Sequence, residues 1–168
     1  MTNEIFQEIT KKEDLSKLKE VTQGIIGEIC WKAASTYVNL LQLEIGAKIP
    51  YTKAVLAGVM HGSWILGTAG TGWLLKELSG DLITTINDDP ASINVRASII
   101  ENMIITALEI RYPELDLILS FDNKYNLVVL PENSHHNFGV PYWTLYTPDN
   151  MIVGVGPGSK WSYTKKIV

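Results

Sequence analysis

The sequence predicts an α+β fold in which two helices pack on a mainly antiparallel β-sheet. Three observations carry the prediction. Two segments repeat apolar residues every three or four positions behind helix-start signals, which is the period of a half-buried helix. Eight others alternate, or run apolar for a few residues, between Gly, Pro and Asn punctuation. The two halves of the chain also set these elements in one order, a helix followed by strands and a late tryptophan, as an internal repeat would.

The first helix opens on Thr10-Lys11-Lys12-Glu13, a capping box whose hydroxyl and carboxylate satisfy free backbone donors. Leu15, Leu18, Val21 and Ile25 form its apolar stripe, and Gly24 and Gly27 end it. In residues 37–45 the period changes: Leu41, Leu43 and Ile45 alternate with Gln42 and Glu44, as in a half-buried strand. Short strands are predicted at 63–66 and 72–75, on either side of a glycine-rich turn. Asp88-Asp89-Pro90 announces the second helix, because an Asp accepts early backbone donors and proline removes one that has no partner. Its stripe is Ile93, Ala97, Ile100 and Ile104. Strands follow at 104–110, 115–121, 127–130, 142–146 and 151–155, and Trp161 and Tyr163 close the chain.

The repeat is an α-β-β-β-β unit within a single domain, with halves at 11–80 and 90–168. Residues 63–68 lie over 142–147 at an offset of 79, matching Trp64 with Trp143. Residues 39–46 resemble 115–122 at an offset near 76. Each half then lends its open face to a common core.

Composition excludes several classes. Of 168 residues 46% are hydrophobic, enough for a core, so the chain is not globally disordered. The formal net charge of −4 gives no general reason to bind nucleic acid. One cysteine, Cys30, leaves no internal disulfide and no cysteine-based zinc site, and beside Trp31 it reads as a small buried hydrophobe. The N-terminus is acidic where a secretory leader would be basic, and the longest apolar run, 54–60, falls far short of the roughly 20 residues of a membrane helix. By elimination the expected compartment is the cytoplasm, with no membrane and no nucleic acid among the partners.

Catalytic and cofactor motifs are also missing. Residues 154–160 look like a phosphate loop, but Lys160 leads into Trp161-Ser162-Tyr163 instead of a helix, so the segment is a turn between strands. No nucleophile elbow is present, and Ser16-Lys17-Leu18-Lys19 sits in a charged helix without companion motifs. No cofactor and no metal are expected. The histidines offer one alternative loop site, because His135 and His136 stand in the longest polar loop and His61 takes the comparable place before its own tryptophan strand. Trp64 and Trp143, at like positions in the halves, are read as paired core residues.

The charge map carries the functional expectation. Residues 1–80 balance eight acids with eight bases, whereas 81–122 hold eight acids against Arg96 and Arg111. Asp88, Asp89, Glu101, Glu109, Glu114 and Asp116 are the candidate partner-binding residues, with 114 and 116 sharing a strand face. Concentrated charge speeds association with a patch of opposite sign. The sequence is therefore read as a small non-catalytic protein-binding domain for a basic partner, such as an immunity-type protein neutralising a cationic toxin. A homo-oligomerising structural module, or a hydrolase or metal-dependent enzyme with an unrecognised site, is the alternative.

Overall fold

The structure is a computed structural model that describes residues 3–36, 39–69, 71–131 and 140–167. Along them run β1 (Ile5–Glu8), α1 (Ser16–Thr22), β2 (Ile29–Ser35), β3 (Leu41–Pro50), β4 (Met60–Thr68), β5 (Gly72–Glu77) and β6 (Leu82–Thr85). Then come α2 (Pro90–Ala97), β7 (Met103–Arg111), β8 (Asp116–Phe121), β9 (Tyr125–Leu130), β10 (Trp143–Tyr146), β11 (Met151–Val155) and β12 (Lys160–Lys165). The described strand pairings are all antiparallel, in the order β1-β12-β11-β10-β4-β3-β2-β7-β8-β9-β5-β6. Two short helices on a mostly antiparallel sheet make this an α+β fold, the class the periodicities predict.

The series bends at its middle. β2 and β7 share only two register pairs, Ile29 opposite Ile104 and Cys30 opposite Met103. Inward-facing residues from both sides of that contact meet in one core: Leu43, Ile45, Leu66 and Trp143 from one, Trp73, Leu117, Leu119 and Phe121 from the other. Each fully buried Leu or Ile contributes about 1.5–3 kcal/mol, whereas exposed ion pairs contribute about 0–1. The three ion pairs found among the described residues are largely exposed, so apolar burial carries the fold.

Both helices are short and run on into a single 3-10 turn that buries an isoleucine, Ile25 after α1 and Ile100 after α2. Ile104, predicted as the end of the second helical stripe, lies in β7 instead. The first helix start also differs in detail. Its opening turn, Lys12–Leu15, is 3-10, and the carboxylate that serves Thr10 N, Thr10 Oγ and Lys11 N is that of Asp14, not Glu13. Asp89 caps α2 as expected, accepting from Ser92 N at 3.0 Å with Pro90 behind it.

Around the β2–β7 contact the hydrogen bonds come in matched pairs. Gly27 N donates to Ile105 O at 2.8 Å, and Asn102 N to Cys30 O at 2.6 Å. Gly27 and Asn102 both hold positive φ, 93° and 66°. From that contact the strand order runs β2-β3-β4-β10-β11-β12-β1 one way and β7-β8-β9-β5-β6 the other. Asn39 and Leu115, aligned by the offset of 76, share a left-handed backbone, and each carbonyl accepts a tryptophan Nε1–H, from Trp73 at 3.0 Å and from Trp143 at 3.3 Å. β4 and β10 are neighbours, with Leu66 directly opposite Leu145, so the two hexamers aligned at an offset of 79 run antiparallel past each other.

Candidate functional site

Most of the sheet has neighbours on both sides, but the far end of one hairpin does not. β3 pairs with β2 only through Leu41–Ile45, and β4 pairs with β10 only through Ile65–Thr68. Beyond that, residues 46–50 and 60–64 pair with each other alone and form a two-stranded arm. At its tip lies the run 54–60, the longest apolar stretch of the sequence, as a 3-10 turn (Ala54–Leu56) and a loop. Val55 is 90% exposed, Val59 and Met60 are exposed in the same run, and Ile49 is exposed further down the arm. Single exposed hydrophobes are ordinary, whereas a contiguous exposed apolar group marks an interaction surface. Lys53 immediately precedes the run, and no acid occurs anywhere in residues 45–76.

The root of the arm explains its direction. A bulge between Ile45 and Lys48 shifts the register, with Gly46 at φ +80°. A Cβ on Gly62 would stand 2.4 Å from Ile45 N and 2.5 Å from Ile45 O, so only glycine fits there. Gly62 N donates instead to the Glu44 carboxylate at 2.7 Å, and Gln42 Nε2 donates to its other oxygen at 2.8 Å. Glu44 is only 5% exposed and has no ion-pair partner among the described residues, so these two bonds are what make its burial tolerable. Burial, then the charge of Glu44 and the nearby Tyr146, push the Tyr51 phenol above its usual pKa. Lys48 Nζ lies over the Trp31 ring, 5.0 Å from its centroid.

The sequence-predicted acids do not gather into one face. Asp88 accepts from Thr84 Oγ at 2.7 Å and Thr85 N at 3.1 Å, and Arg96 lies 3.5 Å away. Asp89 is the α2 cap, and these hydrogen bonds hold both carboxyls below the usual aspartate range. Glu101 accepts Ala33 N at 3.1 Å across the bulge in β2. Glu109 pairs with Arg111 at 3.1 Å, and Asp116 stands opposite Arg111 in the β7–β8 register. Glu114 is exposed in the turn before β8, and Leu115 at φ +62° separates it from Asp116, so the two do not share a strand face. The nine residues of β7 put roughly 27 Å between the group near α2 and the group at the β7–β8 turn. Over a Debye length of about 8 Å the two act separately.

His61 sits at the root of the arm, its Nδ1 2.8 Å from Gly62 O and its ring centroid 4.7 Å from that of Tyr51. His135 and His136 lie outside the described residues. Among the described residues no three His, Cys, Asp or Glu come together as a metal site, and no helix is long and apolar enough to cross a membrane. Cys30 is fully buried, and burial above all pushes its thiol up to about 12. Residues 156–159 form the turn between β11 and β12, with Gly156 and Gly158 at positive φ. The arm is what sequence reasoning missed as a site. Its signal was an acid-free apolar run without helix or strand period, preceded by Lys53, between Pro50 and Gly62. Compared with known protein families, with curated proteins and with solved structures, the chain matches none of them.

Proposed function

We propose that the chain is a non-catalytic protein-binding domain that engages its partner through the tip of the β3–β4 arm. One observation supports this above all: the longest apolar run of the sequence is held in solvent on an arm aimed by a glycine-lined bulge. Desolvating such residues drives association, and Val55, Val59 and Met60 stand ready to be covered. A second reading keeps a basic partner, the immunity-type case. Its support is the β7–β8 turn, where Glu114 is exposed beside Glu109 and Asp116. A photo-crosslinking amino acid placed singly at 55, 59, 95 and 114 separates the readings. Discrete adducts with another protein at 55 and 59, absent at 95 and 114, are expected. Adducts at 114 alone transfer the role to the acidic turn, and equal yields at all four positions remove both.

We further propose that the two halves are copies of one α-β unit that have exchanged strands. The matched turns at Gly27 and Asn102, and the matched indole bonds of Trp73 and Trp143, support it.

A further inference from the structure

Resting on that reading, we infer that the surface recognised by the arm is apolar and rimmed by carboxylates, an acidic protein segment in place of the basic one the charge map suggests. The arm itself supplies the complementarity. Its exposed large apolar side chains are Ile49, Val55, Val59 and Met60; Lys53 precedes the tip run directly, Lys48 lies at the root over Trp31, and residues 45–76 hold no acid. A lysine at the edge of an apolar contact attracts carboxylates and disfavours basic partners, because like charges facing each other repel.

A second copy of the chain fits less well. A symmetric tip-to-tip contact sets Lys48 and Lys53 against their own equivalents. A tip docked on the acidic residues of another copy is a head-to-tail contact, which leads to open filaments unless the rotation closes. An anionic membrane also fits less well. Each lysine near such a surface gains only modestly, and the few on the arm work against a chain of net charge −4. The run 54–60 contains no Trp or Tyr to anchor it at a lipid interface.

The test selects binders from a random 12-residue display library on the full chain, with counter-selection on Val55→Asp. The winners are resynthesised with Glu, Gln or Lys at their flanks. Enriched peptides are expected to carry two or more large apolar residues flanked by Asp or Glu. Their Kd should rise about tenfold or more on Val55→Asp, and Lys53→Glu should weaken the Glu-flanked set while sparing the Gln-flanked set. Tip-dependent peptides with no acidic bias, or with a basic one, overturn this inference and leave the binding role of the arm in place. Failure to enrich any tip-dependent peptide overturns both, as does a chain that instead dimerises through the tip or sediments with phosphatidylserine vesicles in a Val55-dependent way.

Discussion

Glu44 shows how far a single residue can depart from its place in a pattern. Leu41, Leu43 and Ile45 alternate with Gln42 and Glu44, and alternation assigns the polar pair to solvent. The apolar trio is buried as that rule requires. Glu44 is buried as well, because the bulge strips Gly62 N–H of its strand partner and the carboxylate replaces it. Nothing in the periodicity carries that information, since a bulge is a local shift of register. The consequence is measurable. Replacing Glu44 with Leu leaves a buried N–H without an acceptor, which costs about 1–3 kcal/mol. Urea denaturation of Glu44→Leu should therefore show a fall of that size in unfolding free energy. Glu44→Gln, which keeps an acceptor oxygen for Gly62, should lose clearly less. Equal stability of the Leu variant and the native chain would show that water or a shifted backbone serves Gly62 instead.

At the scale of elements, the arm depends on glycine at two crossings. Gly46 takes φ +80°, and a Cβ there would press on Ser63 Oγ, which accepts Ala47 N at 3.1 Å. Gly62 is the tighter of the two because its obstacle is backbone, which cannot rotate away. Gly62→Ala should force the strands apart at the root and cost about 1–3 kcal/mol, as overpacking does. Hydrogen exchange should quicken at residues 60–64 before it quickens in the core. A variant with native stability and unchanged exchange would mean that the crossing has slack. The glycines also mark the limit of what the sequence discloses about elements. Both helix starts are legible because capping is local chemistry, and β8, β9 and β11 are legible from their apolar runs. β1, β2 and β6 are not. β1 and β6 have four residues each, too few for a period to register, and the bulge beside Trp31 breaks the alternation of β2. The arm fails to declare itself for the opposite reason: an apolar run implies burial, and here the run is exposed.

At the scale of the whole molecule, strand pairing crosses repeatedly between the first and second halves of the chain. β5 and β6 follow β4 in the chain, yet β5 pairs with β9 of the second half. β10 follows β9, yet it pairs with β4 of the first, and β1 pairs with β12. Each half therefore completes the other's sheet, and the indoles of Trp73 and Trp143 each anchor on a carbonyl of the opposite side. A protease site inserted after Asn87, in the exposed turn before α2, tests this in the full chain. The cut removes no strand pairing, so the nicked protein should run as one particle on a sizing column and keep its near-ultraviolet tryptophan dichroism. In denaturant the pieces should part. On dilution each piece alone should fail to regain that dichroism, because its inward apolar face has lost its cover. Mixed at equal concentration, the pieces should regain it, with a yield that depends on concentration as a bimolecular step requires. Separation of the nicked halves without denaturant, or native dichroism in either half by itself, would overturn the expectation that each half depends on the other's strands.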